Sequence, residues 1–272
     1  MMESILAIAG SDSIAGAGAE IDIKVAAALG VHATCAITAI TAQTTMSVDA
    51  IQLVEPEVVR AQIQAAFRDV PPAAIKIGML GGDSIARAVA AELAEHPEVP
   101  VVLDPVLVAT SGGSLSTDLV LTTLENVLIP MSCVVTPNIA EAETLAGMER
   151  IGTPEESQAA AEAILALGAR NVLIKGGHDE GDECIDRLYC ADGEGGAREL
   201  LELASARCEG EYHGTGCSLS TAIACGLAQG LSLEEAVTRA HDLVARMIAS
   251  PTGLGHGSRI ISPFTEDGVS KG

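Results

Sequence analysis

The sequence predicts a three-layer α/β/α fold with a central, mostly parallel sheet and a small β-hairpin. Three observations predict it. Short apolar runs alternate with longer helical patterns along the chain. The runs are continuously apolar, as strands covered by helices on both faces are. Polar and glycine-rich segments recur directly after them, at residues 11–18, 78–83, 104–113, 136–141 and 175–178. In open α/β sheets ligands bind beyond the C-terminal ends of the strands.

Taken in order, "SILAIAG" reads as a strand ending in a Gly/Ser/Asp turn, and "AGAEIDIKVAAALG" as a helix stopped at Gly30. "VHATCAITAIT" is a β-branched strand. "PEVVRAQIQAAFRDV" is an amphipathic helix with proline near its start. "AIKIGML" is a strand, and "DSIARAVAAELAEH" a helix with Asp83 as its expected cap. "VPVVLDPV" and "CVVTPN" are strands, the second followed by the helix "IAEAETLAG". Thr153 and Glu156 form a capping box for "TPEESQAAAEAILALGA". "NVLIKGGH" is a strand. "ECIDRLYC" and "ARELLELAS" flank the turn "ADGEGG" as a hairpin. Two helices close the pattern, "TGCSLSTAIACGLAQG" and "SLEEAVTRAHDLVARMIAS". With no low-complexity linker, repeat or composition shift, residues 1–272 are expected to form one domain.

Composition narrows the function. Hydrophobic residues make up 48% of 272, enough for a folded core. Phe67, Phe264, Tyr189 and Tyr212 are the only aromatics, so a stacking platform for nucleic acid is not expected. A net charge of −22 repels nucleic acid and anionic membranes. The seven cysteines are odd in number and include no C-x-x-C, which argues against a disulfide framework or a zinc site. The N-terminus lacks a basic n-region and no apolar run reaches membrane-spanning length; a cytoplasmic protein is expected.

The loop after the first strand misses the G-x-G-x-x-G spacing, so a dinucleotide fold is disfavoured, and no G-x-x-x-x-G-K-[ST] is present. Asp12 sits in that loop. Asp22 follows in the helix among apolar neighbours, where a half-buried carboxylate is expected; a helix cap or surface charge and a substrate contact remain equal readings. Asp104 ends a strand and Glu141 opens a helix. Alone, these read as a turn residue and a cap; together they can share a hydrated Mg²⁺. Lys175 follows four apolar residues and precedes two glycines, where it can reach a polyphosphate. Gly214, Thr215, Gly216 and Cys217 form a small-residue turn into a helix, an anion hole of unpaired N–H groups. The helix N-terminus is expected to lower the Cys217 thiol pKa.

Several motifs occur in order: "AGSDS…GAG…D.K", "TAITAQTT", "DPVLVATSGG", "VVTPNIAEAETLAG", "IKGGH" and "HGTGCSLSTAIA". The chain resembles, over residues 4–262, the hydroxymethylpyrimidine and phosphomethylpyrimidine kinases of thiamine biosynthesis, in the ribokinase-like superfamily. Sugar kinases of that superfamily carry aspartate where this chain has Cys217. The resemblance implies ATP-dependent phosphorylation of hydroxymethylpyrimidine and then of its monophosphate. It implies that Gln43, Asp22, Met79, Val106 and Gly10 line the substrate site. Asp104 and Glu141 then hold Mg-ATP, and Asn138, Lys175 and Thr215 face its phosphates. Gly214, Gly216, Cys217 and Lys175 act on the transferring group, with Cys217 weighted toward positioning over base catalysis. A homodimer is also implied. The alternatives are a pyridoxal/pyridoxine kinase of the same lineage and a non-catalytic pyrimidine sensor. The chain departs from the family at Ile14 and Ala15, where glycines are usual, at Thr44, at Ser111–Gly113, and at Ile139 and Ala140 before Glu141.

Overall fold

The computed structural model describes residues 2–107, 118–176, 182–193 and 195–264. The expectations for Ser111–Gly113 and for Gly177 and His178 lie outside them.

The strands are β1 (Ser4–Asp12), β2 (His32–Gln43), β3 (Val48–Leu53), β4 (Ala74–Ile77), β5 (Val101–Leu103), β6 (Val134–Val135), β7 (Asn171–Ile174), β8 (Glu183–Ala191) and β9 (Ala197–Ala206). They form one sheet in the order β3-β2-β1-β4-β5-β6-β7-β8-β9. The six strands from β2 to β7 run parallel. Antiparallel β3 closes one edge, and the hairpin β8–β9 extends the other. β10 (Tyr212–His213) and β11 (Arg259–Ile260) form a separate parallel pair.

Helices cover both faces. α1 (Gly18–Ala28), α8 (Thr215–Ala228) and α9 (Leu233–Ala249) bury Ile21, Val25, Ile223, Val237 and Met247 on one face. The other face carries α2 (Pro56–Asp69), α3 (Asp83–Leu93), α6 (Ile139–Ala146) and α7 (Pro154–Ala166), which bury Ile63, Val89, Leu145 and Ile164. Between them α4 (Asp118–Thr123) runs through a π-helical turn (Leu124–Leu128) into α5 (Ile129–Met131). Each fully buried Ile or Val side chain is worth about 1.5–3 kcal/mol.

Strand parity decides what faces the α1/α8 layer. On β4, Ile75 and Ile77 join the α2/α3 core, so Lys76 between them points to the opposite side. Leu103 and Ile174 also belong to the α2/α3 core. Asp104 and Lys175, one residue further on, therefore turn toward α8. The β-period thus delivers three charged side chains to one face, near the C-terminal ends of β4, β5 and β7.

The capping box at Thr153 and Glu156 forms as predicted from sequence. Asp83 differs: Gly82 is the N-cap, and Asp83 is the first helical residue. Its carboxylate accepts instead from Arg87 and from the Thr123 hydroxyl, tying α3 to α4. β3 was not legible because its side chains are largely exposed and carry no apolar alternation.

Asp186 on β8 joins two elements. It accepts from the backbone N–H of Gly176 at 2.9 Å and pairs with His241 Nδ1 of α9 at 3.0 Å. The hydrogen bond to Asp186 raises the His241 pKa against the opposing effect of burial. A raised histidine stabilises the fold fully below its unfolded pKa of about 6.5, and that contribution is lost as pH rises through the folded value. Wild type is therefore expected to lose melting temperature between pH 6 and pH 9 relative to His241→Gln. Parallel melting curves for the two proteins over that range would refute this coupling.

Candidate active site

The loop from β1 to α1 is organised by one carboxylate. Asp12 accepts from the backbone N–H groups of Ile14, Gly16 and Ala17 at 2.8–3.0 Å, and pairs with His213 Nε2 at 2.9 Å. Burial alone would raise its pKa, but His213 and these N–H donors hold it below the usual carboxylate value. Ala15 adopts φ 55°, in the left-handed region. A non-glycine residue there costs about 1–2 kcal/mol, partly offset by the greater chain entropy of an unfolded glycine. Ala15→Gly is therefore expected to stabilise the protein by about 0.5–1 kcal/mol. A urea midpoint that falls on this substitution would contradict it.

Beneath this loop lies a buried ion pair. Lys76 Nζ donates to both Asp22 oxygens, at 2.8 and 3.0 Å, and the Thr221 hydroxyl of α8 donates to Asp22 at 2.6 Å. Both charged side chains are 0% exposed, so Asp22 is fully buried where half-burial was expected. Burial pushes the Asp22 carboxyl upward while Lys76 and Thr221 pull it down. Burial acts against the Lys76 ammonium too, but Asp22, with Cys217 and Asp104 beside it, raises its pKa.

The second charged group stands at the ends of β5 and β7. Lys175 Nζ donates to Asp104 Oδ1 at 2.8 Å, with Thr136 3.4 Å from the same oxygen. Desolvation lowers the Lys175 pKa, but Asp104 and then Glu141 raise it further, so the ammonium stays charged. Glu141 and Asn138 form a reciprocal capping box on α6. Burial pushes the Glu141 carboxyl up to about 7, with Lys175 opposing and Asp104 adding to the rise. The capping role and the proximity to Asp104 thus coexist in one residue.

The turn into α8 completes the arrangement. Gly214 is its N-cap at φ +86°, and a side chain there would strike the Gly16 carbonyl. A Cβ on Gly216 would stand 3.1 Å from Lys175 Nζ and 3.5 Å from Asp104 Oδ2. The open N-terminus of α8 therefore abuts the Lys175–Asp104 pair. Thr215 and Cys217 belong to its first turn, and Cys217 is half-buried. Burial pushes the Cys217 thiol up, Asp22 and Asp104 push the same way, and Lys76 opposes them. This runs against the lowered thiol expected from the helix N-terminus: burial and the two carboxylates outweigh Lys76 and the Gly18 N–H. Cys217 holds its proton at neutral pH.

Gly10 packs under Met79, whose carbonyl accepts from Thr38. Val106 folds back on Asp104 through a 2.8 Å backbone bond. A cavity of about 390 Å³ opens at the Gln43 end, lined by Gln43, Thr45, Met46, Glu211, His213 and Ser258 among others. Gln43 lies 3.0 Å from His213. Sequence reasoning passed over Lys76 and the Asp12–His213 pair. A lysine inside the buried run Ala74–Ile77 was a signal for the first. No local pattern announces the second, whose members lie 201 residues apart.

Two carboxylates beside one ammonium, below an open helix N-terminus, form a place for a polyphosphate. The family profile described as Phosphomethylpyrimidine kinase matches residues 12–262. The chain belongs to the phosphomethylpyrimidine kinase family. Within it, the hydroxymethylpyrimidine/phosphomethylpyrimidine kinase of Rhizobium meliloti (strain 1021) is 45% identical over 253 residues, covering 93% of this chain and 92% of the relative. The enzyme of the same description from Haemophilus influenzae (strain Rd) is 40% identical, covering 94% of each chain. The solved phosphomethylpyrimidine kinase of Clostridium difficile 630 superposes with a TM-score of 0.78 at 35% identity, over 90% of this chain and 99% of that one. The Staphylococcus aureus pyridoxal kinase in complex with AMP-PCP and pyridoxal gives 0.87 at 28% identity, over 97% and 94%. These neighbours place the chain in the ribokinase-like fold. No helix among the described residues is long and apolar enough to cross a membrane.

Proposed function

We propose that this member of the family phosphorylates hydroxymethylpyrimidine and then its monophosphate, with ATP as phosphoryl donor. The observation that carries the reading is the junction of Lys175, Asp104 and Gly216 at the N-terminus of α8. Phosphoryl transfer needs charge stabilisation and alignment more than covalent chemistry. Lys175 meets the transferring group as a point charge, and the Gly214–Cys217 amides receive its equatorial oxygens. The protonated Cys217 thiol donates to and positions the acceptor end. A base is not required when a phosphate oxygen is the nucleophile, as in the second transfer.

Asp104 and Glu141 would hold Mg²⁺. No group of three or more His, Cys, Asp and Glu side chains forms a metal cluster among the described residues. A two-carboxylate set fits Mg²⁺, which takes its remaining ligands from water and phosphate. Burial raises the Glu141 pKa and Asp104 adds to the rise against Lys175, and a bound cation would favour the ionised carboxylate. When bound, Mg²⁺ would neutralise phosphate charge. Asn138 and Thr215 lie on the phosphate side, and Gln43, Asp22, Met79, Val106 and Gly10 belong to the acceptor side, Asp22 acting through Lys76.

The sheet running unbroken through nine strands supports one kinase domain over residues 1–272. Ile40, Met46, Ile51 and Leu53 are 41–69% exposed around the β2–β3 edge, which supports a homodimer formed there. Ile51→Glu is expected to shift the mass seen by light scattering toward the monomer; an unchanged mass would move the interface elsewhere.

The function is tested by ATP consumption with hydroxymethylpyrimidine, its monophosphate and pyridoxal in parallel, each with Mg²⁺. Turnover of both pyrimidines is expected. Turnover of pyridoxal alone, or of none of the three, would overturn the reading.

A further inference from the structure

We propose that His213, held by Asp12, is a specificity-determining positioning residue that turns the Gln43 amide so that its NH₂ faces a ring-nitrogen acceptor of the substrate. The inference rests on the proposed function and deepens it.

His213 Nε2 has two close polar neighbours, Asp12 Oδ2 at 2.9 Å and the Gln43 amide at 3.0 Å. One ring nitrogen either donates or accepts. Asp12 Oδ2 already accepts from the Gly16 and Ala17 N–H groups. As a carboxylate it only accepts, so Nε2 must carry the proton and donate. A donating Nε2 has no lone pair for an amide NH₂; NH₂ against N–H would set two donors face to face. A half-turn of the terminal amide exchanges its nearly isosteric N and O and removes the conflict. The amide oxygen then accepts from Nε2–H, which it shares with Asp12.

The other end of the amide agrees. The half-turn places NH₂ at the position 3.4 Å from the Thr41 hydroxyl oxygen. Thr41 spends its own proton on the Ser11 carbonyl at 3.0 Å, so its oxygen is free to accept. Only this orientation satisfies Asp12, His213, Gln43, Thr41 and Ser11 together. One Gln43 N–H is left over, and Gln43 lines the 390 Å³ cavity. A donor presented there selects an acceptor, which a pyrimidine ring nitrogen supplies. Without His213 the amide turns freely and offers either atom. His213 itself is buried against Gly16 and held by the β10–β11 pairing.

The test compares wild type with His213→Leu, His213→Gln, Gln43→Leu and the double variant His213→Leu/Gln43→Leu. His213→Leu is expected to raise KM for hydroxymethylpyrimidine by about 10- to 30-fold, while kcat and KM for ATP stay within about threefold. His213→Gln, whose NH₂ can donate to both partners, should recover much of the loss. The double variant should be no worse than Gln43→Leu. Multiplying losses, or a fall of kcat accompanied by equal rises of both KM values, would overturn the proposal. If His213→Leu fails to fold, His213→Gln and Gln43→Leu carry the comparison. Nitrogen-15 spectra of the histidines, with His213→Gln assigning the signal, should show a protonated His213 Nε2 at neutral pH. An unprotonated Nε2 would overturn the proposal. That spectrum needs no turnover, so a wild type inactive on pyrimidines would overturn the function while the His213–Gln43 orientation is judged separately.

Discussion

Lys175→Ala is expected to lower kcat/KM for both pyrimidine substrates by about 10²- to 10³-fold, the scale of losing one preorganised stabiliser of transition-state charge. The reason lies in how the lysine is held. Its backbone N–H bonds the Pro137 carbonyl, and residue 175 bridges Asn138 in register, so its start is fixed by the sheet. Its ammonium is held by Asp104, with Gly216 leaving room above it. Little reorganisation is then needed when a phosphoryl group arrives. Lys175→Arg should rescue poorly, because a planar fork does not fit the space of a point charge beside Gly216. The loss should fall mainly on kcat, since the charge builds during transfer. Melting curves separate this from unfolding: removing the cation also leaves Asp104 without its partner. A loss below about tenfold in a folded protein would remove Lys175 from the chemistry.

Most of the architecture could be read from local pattern. The apolar runs at residues 4–10 and Asn171–Ile174 and the capping box at Thr153 depend on neighbours in sequence and form as expected, though β1 runs on to Asp12, which was expected in the loop. Asp104 and Lys175 follow strand ends, where parity carries the side chains to a known face, and Glu141 opens the helix after the next strand. What stayed hidden depends on distant partners. Lys76 is buried only because Asp22, 54 residues away and itself held by Thr221 on α8, meets it. The Cys217 thiol was misread by a local rule: the helix N-terminus favours a thiolate, but its surroundings remove water and add two carboxylates. Asp83 was misread because its carboxylate found Arg87 and Thr123, leaving the cap to Gly82.

The second large effect concerns the Asp22–Lys76 pair. Asp22→Ala or Lys76→Met, each alone, is expected to destabilise the fold by about 3–5 kcal/mol, because each strands a buried charge. For a chain of this size that is a fall of about 10 °C in melting temperature. The double variant Asp22→Leu/Lys76→Met should recover most of the stability, since apolar residues of similar volume commonly replace a buried pair without loss. Activity should not recover with it. Lys76 is the cation that opposes the rise of the Cys217 thiol, and Asp104 acts on it electrostatically as well. Its charge therefore reaches the floor of the site without touching a substrate. The double variant is expected to fold like wild type yet keep kcat about tenfold low. If instead stability and kcat return together, the pair is an element of the core alone. If stability stays low in the double variant, the cost lies in packing around Thr221 and Gly78. A stable double variant with low kcat is the one outcome that assigns the buried charge to the electrostatics of transfer.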